Sequence, residues 1–591
     1  MNRRDFLKAG ALAAMSAAAK PSGGIALTGP TETGICAGES VPLTYSLTKG
    51  PGQSLSTTFS VSGLPPGITG TFSPTSCKPN CGTTLTLRAA SNYVLGDYSF
   101  IVRAQNSKGI AMANTNIKPR CAIAVKPPPS NLVGYFVSTS GNDANDGSIG
   151  APWAHCPGMA AWTGSASLVS GDTVYFNNSD TFAPAGTDQL LQTTTAGVTY
   201  DGATWGGGTR AVFQAQADYV NNTVILVYHS NTIIRGIDID GNAKNTCGIT
   251  VNWPSAAASI SNIELNNCIV RSTGHSDVFR YGIIVGATGG FTTTNPTVTN
   301  CTVHDVLHEG ICLYPSDTPG TNRVVNATVT NNTVYNTGGQ AADFGVGLLI
   351  KNYTTGATIE GNNFHNNFHG IQFENANASS NPQTGIIIRR NKIFDNLHWG
   401  IYILGQGRSI TSDIYDNLIY DNGKAGQVEG GPIFFTTGDH AAGVWNILNN
   451  TIYSVNVGAT SQYGVINSGS ATGTPTITVK NNIIYTVNEI AIDDRKNWFT
   501  HSNNLAFRTS GAAANVAYNG TTNYTRTTYT TYEPTGISAD PLFVNAFADF
   551  HLLVASPAID AGATLSEVTT DYDGTARPQG AAYDIGAYEF S

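Results

Sequence analysis

From about residue 260 to residue 505 the chain alternates short β-branched runs with breaks rich in Asn and Gly, on a period of roughly thirty residues. The segments VTNNTVY, IEGNNFH, IRRNKIF, IYDNLIY, ILNNTIY and VKNNIIY align so that Asn332, Asn362, Asn391, Asn417, Asn450 and Asn482 share one slot, at spacings of 30, 29, 26, 33 and 32 residues. LNNCIVR and VTNCTVH extend the register upstream, with Cys268 and Cys301 in the Asn slot. A second recurring element, Gly followed by an apolar residue, falls at Gly282, Gly310, Gly347, Gly370, Gly400 and Gly464. Period-two alternation in short β-branched runs predicts strands, and so short a spacing leaves no room for a crossover helix. Helical or leucine-rich repeat patterns of similar length are absent. Each repeat is therefore expected to form one turn of a parallel β-solenoid, with the Asn residues stacked at ~4.8 Å and bonded to one another and to the turn backbone.

Composition agrees with a packed, repetitive β protein: 41% hydrophobic residues, 12% charged and 65 Gly in 591 residues. A net charge of −9 and the lack of a Lys/Arg-rich run beyond the leader argue against nucleic acid or an anionic membrane as partner. An anionic polysaccharide stays open, because a local basic groove can sit on an acidic protein.

The N-terminus, Asn2-Arg3-Arg4-Asp5-Phe6-Leu7-Lys8 and then an Ala-rich stretch, resembles a twin-arginine export signal over residues 1–19. No apolar run reaches transmembrane length. The resemblance implies a soluble periplasmic or secreted protein, with no membrane insertion after signal removal and a monomer expected. Residues 24–125 contain short alternating strands, and the turn Gly63-Leu64-Pro65-Pro66-Gly67 resembles that of bacterial immunoglobulin-like modules, implying a β-sandwich. Lys126-Pro127-Pro128-Pro129-Ser130 marks a linker over 126–132. Cys77 with Cys81, and Cys36 with Cys121, are candidate disulfides, whereas Cys268 and Cys301 read as stacked buried thiols with a disulfide as the alternative.

After the linker, Val133 to Asp143, Asn145-Asp146-Gly147 and Pro152-Trp153 resemble the opening of pectate-lyase-like right-handed β-helix proteins. Asp540-Pro541-Leu542-Phe543, Ser556 to Gly562 and Asp584 to Glu589 resemble the closing segment of that superfamily. The resemblance implies an all-β chain, with a right-handed parallel β-helix over 133–505 and a closing segment over 506–591. Asp143 and Asp146 are read as turn-capping residues, with Ca²⁺ binding as the alternative. The Gly-His-Gly and Arg-Ile-Lys motifs of polygalacturonases and the Asp-Pro-His-Asp of mannuronan epimerases are absent, so no narrower family is assigned.

In glycan-active members of the superfamily the substrate lies across coils on one outward face. If the residue after each Gly points inward, those two and four after it point outward. One outward column then reads Ile284, Cys312, Leu349, Gln372, Tyr402, and the other Gly286, Tyr314, Lys351, Glu374, Leu404. The turns before these strands carry His275, Asp277, Arg280, His308, Glu309, Asp343, His365, His369, His398 and Trp399. β-Elimination on a uronate needs a base, a neutraliser of the carboxylate and a proton donor. Lys351 or His369 is the candidate base, Arg280 or a Ca²⁺ held by Asp and Glu the neutraliser, and Tyr402 the donor. Hydrolysis would instead draw on Glu374 with Glu309 or Asp343 as paired carboxylates. Gln372, His398, Trp399 and Tyr314 are candidate substrate contacts, the aromatics by stacking on sugar rings. A polysaccharide lyase is the leading expectation, ahead of a glycoside hydrolase, a uronate epimerase or a non-catalytic glycan-binding protein, with no organic cofactor.

Overall fold

The β-branched runs are strands, and each coil lays them on three walls: Ile233–Arg235, Ile237–Asp240 and Cys247–Val251, for example, lie on successive walls. This is seen in a computed structural model, which describes the chain from residue 25 onward except for residues 31, 36–39, 50–54, 66, 91–97, 107–108, 119–131, 184–188, 219–222, 245, 275–279, 317–321, 339–344, 375–382, 405–409, 424–429, 437–439, 441–442, 455–462, 488–489, 512 and 547. The export-signal reading, Cys36 and Cys121 thus fall outside the described residues. Among the described residues, strand pairing builds walls of seventeen, twelve and thirteen strands, parallel throughout apart from the last strand of the third. They enclose one core in which Ile, Val, Leu and Phe recur at every coil, including Ile283, Ile311, Leu348, Ile371, Ile401 and Ile433. The fold is a right-handed parallel β-helix.

The Asn slot lies at the corner between the first and second walls. Each side-chain amide donates to the next Asn Oδ1 at 2.9–3.0 Å and to a carbonyl of the preceding coil, as Asn391 does to Asn417 and Ile359. Each Oδ1 also accepts the backbone N–H of the Asn before it. The ladder continues to Asn504 and ends on the buried Glu533 carboxylate, which accepts from Asn504 and His501. Cys301 and Cys268 occupy the slot as free buried thiols and direct Sγ at the equivalent carbonyls, Leu265 and Ile234, at 3.7 Å. A second ladder at the next corner runs Thr337, Asn367, Asn396, Asn422.

The Gly column owes its identity to close approach. A Cβ on Gly282 would stand 2.6 Å from the Gly310 carbonyl oxygen and one on Gly370 2.6 Å from that of Gly400, with core methyl groups at 2.4 Å in both cases. Only hydrogen fits where the coil bends into the third wall.

The closing segment returns along the outside of the coils and is bonded to them. Arg577, fully buried, donates to Asp416 at 2.9 Å and Glu589 at 2.6 Å. Asn449, Asn481 and Asn503 donate to the carbonyls of Asp584, Ala563 and Ala561. Asp143 accepts from His155 and Thr163, and Asp146 from Ser148, so both serve as turn caps.

The chain divides into two compact units, residues 1–124 and 125–591. In the first, a four-stranded and a five-stranded sheet share a core that includes Tyr45, Leu85, Leu87, Phe59, Phe100 and Val102. Tyr45 is bonded to Thr115 at 2.7 Å, and Cys77 and Cys81 form a disulfide. Among the described residues no helix is long and apolar enough to cross a membrane.

Candidate functional site

The third wall carries the Gly-apolar strands, and its register sets which side chains share its outer face. Ile284, Cys312, Leu349, Gln372, Tyr402, Phe434 and Ile466 are paired strand to strand in one column, and Gly286 with Tyr314 and Lys351 with Glu374 in the next. The residues between them line the core, so the columns face outward as the alternation predicts.

Three polar clusters stand on this face. In the first, Lys351 Nζ lies 3.2 Å from Glu374 Oε1 and donates to the Tyr314 hydroxyl at 3.2 Å, above the Tyr314 ring. Gln372 Nε2 reaches Glu374 Oε2 at 3.4 Å. Trp253 meets the Tyr314 ring edge-on, over the space left by Gly286, where a Cβ would stand 3.0 Å from Trp253 Cβ. A carboxylate and a phenol oxygen therefore hold the Lys351 side chain in place on this face.

In the second cluster, His308 Nδ1 lies 2.5 Å from Glu309 Oε2, with both side chains under 10% exposed. The Glu309 carboxylate accepts from Nδ1–H, which fixes the orientation of the imidazole. Tyr281 bridges this pair and the first cluster, its ring centre 5.7 Å from that of His308 and 6.2 Å from that of Tyr314. Burial, and then the Glu309 charge, push the Tyr281 phenol upward, so it stays protonated. Arg280 lies near the buried Cys247 thiol, which burial pushes up to about 11 against the pull of the Arg280 charge.

The third cluster stacks His369 on Tyr402 with ring centres 4.4 Å apart, and His398 on His369 at 5.1 Å. Burial, with the His398 charge adding to it, holds His369 well below the usual imidazole range, so the ring is neutral. Its Nδ1 accepts the Trp399 N–H at 3.3 Å, which places the ring proton on Nε2. In this state His369 offers a donor and not a base. Trp399 is fully buried and stacked on Phe434, so it supports the face without reaching a ligand. His365 lies on the second wall, between Tyr335 and Phe394 in a ring stack. His275, Asp277 and Asp343 lie outside the described residues.

Sequence reasoning missed Tyr281 and Trp253. An aromatic directly before the repeat Gly, as at Tyr281, Trp399 and Tyr463, was the available signal for the first. Among the described residues no three His, Cys, Asp or Glu side chains converge as a metal site. Glu309 and Glu374 are each engaged by a basic side chain.

A family model described as a right handed beta helix region matches residues 277–440. No curated protein sequence matches the chain significantly. Among solved structures, the pectate lyase Pel9A is 16% identical with a TM-score of 0.44, covering 80% of this chain and 100% of its own. A mutant of the periplasmic alginate epimerase AlgG is 10% identical with a TM-score of 0.27, covering 56% of this chain and 74% of its own.

Proposed function

We propose that the outer face of the third wall binds an acidic, uronate-containing polysaccharide and cleaves it by β-elimination, in a protein exported through the twin-arginine route. The observation that carries this reading is the pairing of carboxylates with bases: Glu309 with His308, and Glu374 with Lys351. Each carboxylate is engaged by a basic side chain, which suits it less to serve as the free general acid that hydrolysis needs. A sugar laid over Tyr281 would meet His308 on one side and the Tyr314–Lys351 pair on the other.

In this scheme His308 Nε2 removes the proton at C5, and Glu309 stabilises the imidazolium. The freed electron pair forms the C4–C5 double bond as the C4–O bond breaks. Lys351 faces the substrate carboxylate as negative charge builds, and the Tyr314 hydroxyl, already bonded to the Lys351 ammonium, gives its proton to the leaving oxygen. No step is routed through a metal.

The test is ultraviolet absorbance of the purified protein with a panel of uronate polysaccharides, with and without Ca²⁺ and chelator, beside His308→Ala, Lys351→Ala and His369→Ala. The unsaturated product should absorb, and its formation should be lost in the first two variants. Reducing ends without absorbance would indicate hydrolysis, altered uronate stereochemistry without new ends epimerisation, and retention without either a binding module. Each of these results overturns elimination.

A further inference from the structure

A cleft of about 420 Å³ opens at the corner between the second and third walls, and Asp305, Asn336, Asn366, Leu307 and Leu397 are among the residues lining it. That volume falls within the ~300–1,000 Å³ typical of small-molecule sites. Asp305, Asn336 and Asn366 directly follow His304, Tyr335 and His365, which are paired strand to strand, so these polar groups stand on successive coils at ~4.8 Å. The Asn336 amide donates to Asp305 Oδ1 at 3.2 Å and the Asn366 amide to His365 Nδ1 at 3.2 Å, while His304 Nδ1 lies 2.7 Å from Asp305 Oδ2. These bonds orient the amides before any ligand arrives. Among the described residues no group donates to Oδ1 of Asn336 or Asn366, and both side chains are exposed, so two acceptors are open to a ligand. Leu307 and the 37% exposed Leu397 add an apolar surface. Asp305 is the one charged group among the described residues lining the cleft, so a ligand carboxylate there would face a like charge with no cation to offset it.

We propose that this cleft is a subsite for an uncharged sugar, carried as a neutral branch by the acidic polysaccharide. Asn336 and Asn366 accept from its hydroxyls, and Leu307 and Leu397 meet the C–H groups of its ring. The two leucines directly precede His308 and His398 of the polar clusters, so a branch lying in the cleft joins a backbone that lies on the third wall. The substrate is then a branched polymer whose acidic backbone and neutral branches are sorted by charge between the wall and the corner. The branch assignment rests on the acidic-polysaccharide reading above, whereas the preference of the cleft for an uncharged sugar does not.

The experiment is calorimetric titration of the full chain with a pectin bearing galactose and arabinose branches, the same pectin after enzymatic removal of those branches, and free galactotriose and arabinotriose. Wild type is compared with Asn366→Gly and Leu397→Asn. Asn366 has φ +54°, which glycine adopts freely, so Asn366→Gly removes the amide without straining the turn. Wild type should bind the branched pectin more tightly than the debranched one. Each variant should weaken binding of the branched pectin about fivefold, the worth of one net hydrogen bond or one small apolar contact, and leave the debranched pectin unchanged. Equal wild-type affinity for the two pectins, with neither trisaccharide bound, overturns the cleft and leaves the acidic-polysaccharide reading standing. Equal losses for both pectins would mean that the substitutions disturb the corner, and would also overturn it. If wild type binds neither pectin, the acidic-polysaccharide reading falls and the trisaccharides alone decide the cleft: binding that weakens in Asn366→Gly supports it, and no binding overturns it.

Discussion

Replacing Asn391 by Ala tests whether the corner ladder holds the coils together. The side-chain amide donates to Ile359 O and Arg389 O at 2.9 Å and to Asn417 Oδ1 at 3.0 Å, and Oδ1 accepts the backbone N–H and the amide of Asn362 at 2.9 Å each. All but the partly buried Arg389 bond are buried. A typical intramolecular hydrogen bond contributes ~1 kcal/mol net, and an orphaned buried donor costs ~1–3 kcal/mol. Ala strands the Asn362 N–H, whereas the Asn362 amide keeps its bond to Val329 O and Asn417 Oδ1 still accepts the Asn391 N–H. Because Ala also brings no polar group into the core, the expected loss is ~3–5 kcal/mol. Asn391→Cys should lose less, ~1–2 kcal/mol, since Cys301 and Cys268 already fill this slot with Sγ directed at the matching carbonyl. Urea unfolding of the full chain gives the overall change. Amide hydrogen exchange at Asn362 and its neighbours gives the local one, which matters because a solenoid need not unfold as one unit. Asn391→Ala within ~1 kcal/mol of wild type, with exchange at Asn362 unchanged, would refute the claim that these bonds are net stabilising.

Gly370→Ala should destabilise by ~2–3 kcal/mol, because the new methyl meets Ile393 Cγ2 at 2.4 Å and the Gly400 carbonyl oxygen at 2.6 Å, and the backbone atom cannot yield. Thermal unfolding reads this, and an unchanged midpoint would mean that the coil bend relaxes. Glu309→Gln should lower the elimination rate ~10²-fold or more and shift the acidic limb of its pH profile, whereas a structural role alone would leave the profile in place. Asp416, buried beside Arg577 with Glu589 sharing that cation and with Arg390 and Asp571 nearby, has its carboxyl pushed up to about 7, burial being the largest cause. A folded-state value above the unfolded one means that the folded chain holds the proton more tightly. Stability from this group is therefore full below about pH 4 and falls as pH rises toward 7, by up to ~4 kcal/mol. Asp416→Asn should flatten that decline in urea midpoints measured across the window, and an equally steep decline in the variant would remove Asp416 as its source.

The solenoid was legible because its two strictest requirements each admit one kind of residue. The corner between the first and second walls needs a side chain that both donates and accepts along the axis, so Asn332 to Asn482 repeat visibly. The bend into the third wall has room for no Cβ, so Gly282 to Gly400 repeat beside them. The second ladder, Asn367, Asn396 and Asn422, repeats over too few coils to stand out from turn composition. The outer columns were also readable, because alternation along a strand is geometric. What alternation does not encode is which outward groups are already engaged. His308 and Glu309 are sequence neighbours, and in a regular strand their side chains would point to opposite sides. At the bend before Gly310 they meet at 2.5 Å, so the site's oriented imidazole comes from the turn and not from the strand. Lys351 and Glu374 were placed on adjacent coils from the sequence, and their 3.2 Å contact is what leads the proposal to give Lys351 the cationic role and His308 the basic one. The chemistry of this face is therefore set by pairing across and before the strands, and a double substitution shows whether that holds. If Glu374 only keeps Lys351 charged, Glu374→Gln should raise KM for an acidic polymer and leave kcat within a few-fold. Combining it with Lys351→Ala should then cost no more than Lys351→Ala alone. Fully additive losses would mean that the two residues act on substrate independently, and the reading of the pair as one unit would fail.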